Sequence, residues 1–347
     1  MRAMENLHTP RLCIDGRSAH QLGPRGLMAQ EVIDQLVAGY GEGKASSEWI
    51  EKKRTVLLSH PNQSFNGQLK RFDTKRKISC SLFYWFWEKQ FARHANISYF
   101  HRFRSIDHLN PSLTIPTLTT LLPSKGRLPF FISRKPNQQY VVPSTQDGKL
   151  LEKCYHIASE QIHIVKPGTR RYVQFMDPFK HSGHGNILFL VADKKSAKKL
   201  KPLKKVFSKV YANIPQKVMW LKDSTQLSPT LWMKLLQNTK VCVYLTSQPF
   251  DWATLPLEAL FWNVPTLFSE NHSAMNELLP QSPLRLSQFL LDQPDFEKLN
   301  HFTRKAKEQL EGKGVFHPLN MAEQYANLYR ASGTPSGPAP IETGCCN

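Results

Sequence analysis

Short apolar runs alternate with amphipathic segments along most of the chain. The apolar runs predict β-strands at residues 11–15, 54–58, 115–122, 140–143, 161–168, 187–192, 217–221, 241–245 and 264–268. Helical spacing of apolar residues, or a segment of helix length, predicts helices at residues 29–40, 81–91, 146–156, 200–210 and 319–330. Strands that alternate with helices are typical of α/β proteins, so we expect a parallel sheet in each half of the chain.

The first predicted strand, residues 11–15, leads into a glycine-containing loop and then into a predicted helix. Gly23 and Gly26 lie in that loop. Glycine lets the backbone approach a ligand closely at a strand-to-helix turn. The two glycines are therefore candidate ligand-binding residues.

Positive charge is the most unusual feature of the composition. Among 347 residues, 46 Lys and Arg against 27 Asp and Glu give a formal net charge of +19. A field of this sign attracts nucleic acid, anionic lipid headgroups or phosphorylated small molecules, and it carries no information about the fold. The length suggests two domains, at about 100–200 residues per domain.

The same sequence argues against several classes of protein. It contains no run of the roughly 18–20 apolar residues that a membrane-spanning helix needs. Residues 1–17 lack the apolar centre of a signal peptide, so we expect a cytoplasmic protein. The six cysteines include no CxxC pair with metal spacing, and His181 and His184 lie in a glycine-rich stretch without a cysteine partner. We therefore expect no metal site.

One segment resembles a known family. Residues 141–168, VVPSTQDGKLLEKCYHIASEQIHIVKPG, are similar to the segment that closes the N-terminal domain of group 1 glycosyltransferases. Residues 14–36, 255–279 and 314–330 resemble, in the family's order, its first strand and glycine loop, its donor-site helix and its C-terminal helix. The resemblance implies the GT-B fold, an α/β architecture in which two Rossmann-like domains face a central cleft.

The resemblance also implies a domain organisation. An N-terminal, acceptor-side domain would span residues 1–170, and a C-terminal nucleotide-sugar domain would span residues 186–316. Residues 317–330 would form a helix that crosses back to the first domain. Residues 332–347 are rich in Gly, Ser and Pro, a composition that predicts a disordered tail.

A nucleotide-sugar donor makes clear demands on its site. The diphosphate gains negative charge as the sugar leaves, so cations and backbone N–H groups must face it, and a carboxylate must hold the ribose hydroxyls. By resemblance, Glu258 matches the family's ribose-binding glutamate, with Thr254 and Leu255 beside it, and Lys198 matches its phosphate-binding lysine. The alternative for Glu258 is an ordinary helix-start glutamate, favoured by the helix dipole.

Several positions depart from the family pattern. Phe250 stands where the first glutamate of the paired motif belongs. Asp251, one place further on, is a candidate catalytic residue or else a turn or cap residue. Asp193 replaces the family's phosphate-binding arginine, so Lys194 and Lys195 become candidate donor-binding cations. The alternative for these lysines is a solvated helix face.

The family's His-Asp motif is also missing. After residue 120 the chain continues with LLP instead. His101 lies in a segment where we expect a loop that contacts the acceptor, which makes it a candidate catalytic residue. A surface or core role is the favoured alternative for His101.

Three functions stay open on the sequence. The first is an enzyme, a retaining hexosyltransferase that moves a sugar from a nucleotide-diphosphate donor to a glycan or lipid-linked acceptor in cell-envelope polysaccharide synthesis. The family needs no metal or other cofactor, and the basic charge is compatible with peripheral contact at an anionic membrane face. The second is a degenerate glycosyltransferase-like partner or scaffold, suggested by the departures. The third, nucleic-acid binding, rests on charge alone and ranks last, because the chain has no RNP, helix-turn-helix or zinc motif.

Overall fold

The computed structural model describes residues 11–15, 55–59, 70–73, 97–105, 116–123, 134, 136–170, 185–221, 227–317 and 319–333. Within these residues the chain forms two parallel β-sheets, one on each side of residues 171–185, which link the two predicted domains. Except for Gly185, that linker lies outside the described residues, as do the predicted helices at residues 29–40 and 81–91. Of the tail predicted over residues 332–347, Ser332 and Gly333 end the last described helix, and the rest lies outside the described residues. The domain boundaries therefore stay a prediction.

Seven strands of the described residues form the first sheet. They are β1 Arg11–Asp15, β2 Thr55–Ser59, β3 Lys70–Asp73, β4 Ile97–Ser105, β5 Thr117–Leu122, β6 Gln138–Val142 and β7 Ile162–Ile164. Their order is β3-β2-β1-β4-β5-β6-β7, and each neighbouring pair is parallel. From β1 the strand order runs in one direction through β2 and β3 and in the other direction from β4 onwards, so the topological switch point lies between β1 and β4. In parallel α/β sheets, ligand crevices form beyond the carboxyl ends of the strands at such a point.

Four described strands form the second sheet. They are β8 Asn186–Val191, β9 Gln216–Trp220, β10 Thr239–Leu245 and β11 Thr266–Phe268. Their order is β11-β10-β8-β9, again with parallel pairs, so the switch point lies between β8 and β10. β8 is buried along its whole length, as expected for a parallel strand covered on both faces.

Helices connect these strands and cover the second sheet. In the described residues they are α1 Thr145–Tyr155, α2 Lys194–Ala197, α3 Leu200–Val210, α4 Pro229–Gln237, α5 Thr254–Phe261, α6 Ser273–Leu278, α7 Leu286–Asp292, α8 Phe296–Gly312 and α9 Asn320–Gly333. On one face, Phe207 of α3 stacks on Phe289 of α7 with ring centroids 4.7 Å apart. On the other face, Trp232 of α4 is fully buried with Leu188 and Leu190 of β8. None of the described helices is both long and apolar enough to cross a membrane.

The last helix, α9, lies against the first sheet. The Tyr325 hydroxyl lies 2.6 Å from Oγ1 of Thr120 in β5, and the Tyr329 hydroxyl lies 2.5 Å from Nδ1 of His101 in β4. The two tyrosine side chains are almost completely buried. α9 therefore joins the end of the described chain to strands that begin some 200 residues earlier.

The sequence pattern predicted the strands of continuous apolar character correctly, and it missed β3 and β4. β4, with the sequence ISYFHRFRS, carries polar residues among its aromatic ones, so it has neither a continuous apolar run nor a strict alternation. In the sheet its polar side chains find partners: Nε of Arg102 donates to the Thr119 hydroxyl at 2.9 Å, and both side chains are buried. The strand predicted over residues 161–168 is shorter, at Ile162–Ile164.

Candidate functional site

Asp193 and Ser247 meet at the switch point of the second sheet. Asp193 follows β8, Ser247 follows β10, and these two strands are neighbours. Oδ1 of Asp193 accepts hydrogen bonds from the Ser196 N–H and the Ser247 hydroxyl, both at 2.8 Å. Oδ2 accepts from the Ser196 hydroxyl at 2.9 Å and the Ser247 N–H at 2.7 Å. The carboxylate thus caps α2 and ties the two strand ends together.

These hydrogen bonds decide the charge state of Asp193. Partial burial raises its pKa, but the four hydrogen bonds to Ser196 and Ser247 together outweigh burial, so the pKa lies below its usual value. An ionised Asp193 is therefore a structural clamp whose acceptor atoms point at protein donors. The resemblance had placed Asp193 at the position of the family's phosphate-binding arginine.

The three candidate lysines lie beside the clamp. Lys194 and Lys195 form the start of α2, Lys198 is its C-cap residue, and all three side chains are exposed. α2 has only four residues, so the backbone N–H groups at its start supply little of the anion-binding field that a full helix would give. Any contact with a phosphate would come from the flexible ammonium groups.

Glu258 lies in the second turn of α5 and is wholly buried. Its Oε1 accepts from Nε of Arg170 at 2.7 Å and from the Arg170 N–H at 3.1 Å, and its Oε2 accepts from Nη2 at 2.8 Å. Nη1 of Arg170 donates to the Leu227 carbonyl at 2.7 Å. The interpretation of Glu258 as a helix-start residue is wrong, because the first turn belongs to Thr254 and Leu255, which are themselves buried.

Asp251 belongs to a buried polar group next to α5. Its carboxylate accepts from the Tyr244 hydroxyl at 2.7 Å and from the Ala253 N–H at 3.0 Å. Nε2 of His272 lies 3.6 Å from Oδ1 of Asp251. Burial lowers the pKa of His272, an effect that the nearby acids Asp251 and Asp147 oppose only in part, so the pair is not an ion pair at neutral pH. The hydrogen bond from the Ala253 N–H is compatible with the turn role, and the catalytic role of Asp251 stays a prediction.

Asp147, in the first turn of α1, connects the two halves of the molecule. Its Oδ2 accepts from the Ser144 hydroxyl at 2.7 Å and from the Ser273 hydroxyl of α6 at 2.6 Å, and its Oδ1 accepts from the Phe250 N–H at 3.1 Å. Nearby, the Thr145 N–H donates to Oε2 of Glu277 at 2.6 Å. The sequence offered only the Ser-x-x-Asp cap of α1 as a hint of this contact.

Two aromatic residues from the second half of the chain close the same junction. Phe250 is fully buried in a cluster with first-sheet residues that include Leu121 and Tyr140. The Trp252 indole N–H donates to the Leu121 carbonyl at 2.8 Å, and Trp252 is only 2% exposed. Phe250, where the resemblance expected the first glutamate of a paired motif, is therefore used here for packing.

The structure corrects the predicted position of His101. The predicted acceptor loop is wrong at this position, because His101 lies inside β4 and is completely buried. Its Nδ1 faces the Tyr329 hydroxyl, and its Nε2 lies 2.9 Å from Oγ1 of Thr120. Both ring nitrogens are engaged where α9 meets the sheet, which favours the core role. Gly23 and Gly26 lie outside the described residues.

The described residues bring no three His, Cys, Asp or Glu side chains together in a way that could hold a metal ion. The carboxylate oxygens of Asp147 and Asp251, which lie near His272, already accept hydrogen bonds from Ser144, Ser273 and Tyr244.

Comparison with known proteins gives the fold a wider context. No protein-family model and no curated protein matches the chain. A glycosyltransferase from Rickettsia africae ESF-5 is similar in structure, with a TM-score of 0.56 at 8% identity over 93% of this chain and 99% of that one. HepE of Anabaena, solved in complex with UDP and glucose, has a TM-score of 0.55 at 11% identity over 94% of this chain and 100% of that one. At such low identity the likeness concerns the fold alone: the chain has the two-part, Rossmann-like α/β fold of GT-B glycosyltransferases.

Proposed function

We propose that this chain is a glycosyltransferase that takes its sugar from a nucleotide-diphosphate donor. The main support is the position of Glu258, which lies on α5, the helix that follows β10 at the switch point of the second sheet. That is where a sheet of this kind offers a ligand crevice, and where the resemblance to group 1 glycosyltransferases expects the ribose-binding carboxylate. The GT-B fold over nearly the whole chain agrees with this.

Each donor-site residue has a proposed role. Glu258 would accept hydrogen bonds from the ribose hydroxyls, and Arg170 would have to yield part of its contact. A carboxylate has about four acceptor positions, and Arg170 occupies three of them, so a ribose hydroxyl can either use the fourth or replace one guanidinium N–H. Thr254 and Leu255 would shape the same end of α5.

The charged part of the donor would lie beside the strand ends. Lys194, Lys195 and Lys198 would face the diphosphate, and Gly23 and Gly26 would let the first unit approach the donor. Asp251 is the proposed catalytic carboxylate of the second unit, and it would need to exchange its Tyr244 and Ala253 partners to act. His101 has no place in this site, because it is completely buried beneath α9.

The finer assignments are also proposals. We place the chain in group 1, with retention of anomeric configuration and a glycan or lipid-linked acceptor of cell-envelope polysaccharide synthesis. The cytoplasm, at the inner face of the membrane, is the proposed location. UDP-glucose is the first donor to test, since HepE was solved with UDP and glucose.

Calorimetry with UDP and a panel of nucleotide sugars tests the proposal. Native protein should bind at least one donor, and Glu258→Gln should weaken binding about tenfold, because the amide loses the charged acceptor. Glu308→Gln, an exposed change on α8, is the matched control and should leave affinity unchanged. NMR of the product's anomeric proton then tests retention. A native chain that is folded yet binds no donor contradicts the proposal.

A second function is favoured by one observation. Asp193, Asp251 and Glu258 all direct their carboxylate oxygens at protein donors. A chain that had lost its chemistry and kept its fold as a partner or scaffold would show the same arrangement. Absence of donor binding and of sugar transfer, in a protein that unfolds cooperatively, would select this function.

A further inference from the structure

The helix and edge strand that follow Asp193 carry an unusual amount of one charge. Between Asp193 and Asp223 the chain has no acidic residue and no arginine. The same stretch contains ten lysines, at positions 194, 195, 198, 199, 201, 204, 205, 209, 217 and 222. Against a total of 46 Lys and Arg, this is a strong local concentration of positive charge.

Helix α3 turns three of these lysines away from the second sheet. Leu203 and Phe207 of α3 are buried against the sheet. Lys201, Lys205 and Lys209 follow one another at four-residue spacing and are all exposed, so they form a stripe about 12 Å long on the opposite face of the helix.

β9 extends this surface. The Gln216 side chain donates to the Lys204 carbonyl at 3.1 Å and to the Ser208 hydroxyl at 2.8 Å, which ties α3 to the strand. β9 pairs with β8 on one side and is the last strand of the sheet in the described part of the chain. Lys217 is also exposed on this strand, but its side chain points to the face opposite that of Gln216 and Val218.

Trp220 ends β9 and is 41% exposed. Side chains alternate along a strand, so Trp220 shares its face with Gln216 and Val218, the face on which α3 packs. We call Lys201, Lys205, Lys209 and Trp220 the lysine face.

Helix α8 shows that a basic chain can also mix its positive charges with negative ones. On α8, Lys298, Arg304 and Lys305 are interspersed with acidic residues, and Lys307 lies 3.9 Å from Glu311. Among the described residues, the lysines of the lysine face take part in none of the ion pairs found. The two surfaces belong to the same half of the molecule, so the net charge alone does not explain the absence of acidic residues from α3 and β9.

We propose that the lysine face is a peripheral membrane-binding surface for anionic lipid headgroups. Lysine ammonium groups spread over an exposed helix suit a diffuse layer of negative charge, and each adds to the attraction within a Debye length. A partly exposed tryptophan suits the headgroup region, where its apolar ring and polar N–H are both accommodated.

The chemistry of the lysine face favours lipid over nucleic acid. Arginine provides the planar fork that reads phosphates and guanine edges, and the stretch between Asp193 and Asp223 has none. Single-stranded nucleic acid is usually held by several aromatic side chains, whereas this face exposes Trp220 as its one large aromatic group among the described residues. The proposal concerns a surface separate from Glu258 and does not depend on sugar transfer.

Flotation of the full chain with lipid vesicles tests the proposal. Native protein should bind vesicles of phosphatidylcholine with phosphatidylglycerol and should bind pure phosphatidylcholine weakly. Salt at 0.5 M should release it, because the Debye length is then on the order of a few ångströms. A triple variant with Lys201→Gln, Lys205→Gln and Lys209→Gln should lose affinity on the order of 100-fold, since each lysine near the surface contributes about fivefold.

The matched control removes the same charge from α8. A variant with Lys298→Gln, Arg304→Gln and Lys305→Gln should keep close to native vesicle affinity. Trp220→Ala should weaken binding by a smaller factor that persists at high salt. Equal loss in both triple variants, or no preference for anionic vesicles, overturns the proposal. The proposal is also overturned if the native protein binds single-stranded RNA but not vesicles, and the α3 triple variant loses the RNA binding. Donor calorimetry on the same variants keeps this outcome separate from that of the proposed glycosyltransferase.

Discussion

Two of the contacts between the halves of the described structure each bury a carboxylate. At the linker junction, made by Arg170, Glu258 and Leu227, the carboxylate faces a guanidinium. At the α1 junction, made by Asp147, Phe250 and Ser273, the carboxylate faces a hydroxyl and a backbone N–H. The difference teaches that similar burial has different consequences. A buried ion pair is sensitive to the loss of either partner, whereas a buried carboxylate with neutral donors is sensitive to pH.

Asp193 provides a reference for Asp147, because hydroxyl and backbone N–H groups donate to both carboxylates. Burial raises the pKa of Asp147, and the hydrogen bonds from Ser273, Ser144 and Phe250 offset only part of that increase. At half-buried Asp193, similar hydrogen bonds outweigh burial, and the pKa is lowered. The direction of the shift therefore depends on how much water each carboxylate loses on folding.

The largest effect is expected at the linker junction. Glu258→Ala leaves the Arg170 guanidinium buried without a counter-charge, which should lower the free energy of unfolding by about 3–5 kcal/mol. Combining it with Arg170→Met should restore much of this loss, because the uncompensated charge disappears. Urea denaturation of both single variants and the double variant measures the coupling. Additive effects of the two changes would show that the pair does not form in solution.

A change at the α1 junction should have the next largest effect. Trp252→Phe keeps most of the buried ring but removes the N–H that donates to the Leu121 carbonyl, so the free energy of unfolding should fall by about 2 kcal/mol. Trp220→Phe, at a 41% exposed position, is the control and should change stability by less than about 0.5 kcal/mol. Equal effects in urea denaturation would contradict the burial of Trp252.

The clamp at Asp193 should contribute less. Asp193→Ala removes the cap of α2 and the bridge to Ser247, and the free energy of unfolding should fall by about 1–2 kcal/mol at neutral pH. Because the folded-state pKa is lowered, this contribution is present above the unfolded-state pKa of about 3.8 and is lost as the pH falls through the folded value. The difference between native and variant should shrink below pH 4, and a constant difference would show that Asp193 is not ionised in the clamp.

The smallest effect, opposite in sign, is expected from Asp147→Asn. The folded-state pKa of Asp147 is raised, so its contribution to stability is fully present below about pH 3.8 and is lost as the pH rises through the folded value. The asparagine does not titrate, so the variant should gain stability relative to native protein as the pH rises towards neutrality. Urea midpoints at several pH values measure this, and a parallel pair of pH curves would contradict the raised pKa.

Part of the fold was predictable because local patterns of apolar residues determine its strands and helices. Continuous apolar runs predicted strands such as β8 and β10, whose side chains are buried on both faces. Helical spacing predicted α3, in which Leu203 and Phe207 face the sheet. β4 escaped prediction because its polar side chains become acceptable only beside Thr119, Thr120 and Tyr329.

In the candidate site, too, some features follow from local sequence patterns and others depend on distant partners. The sequence by itself marked Glu258 as a candidate binding residue and showed that lysines crowd the segment after Asp193. Only the tertiary structure decided what these groups face: Arg170 lies 88 residues from Glu258, and Ser247 lies 54 residues from Asp193. Periodicity within a short segment reports which side of an element is apolar. The partner of a buried charge comes from a distant segment, and the need to satisfy that charge in a dry interior, rather than any local pattern, selects it.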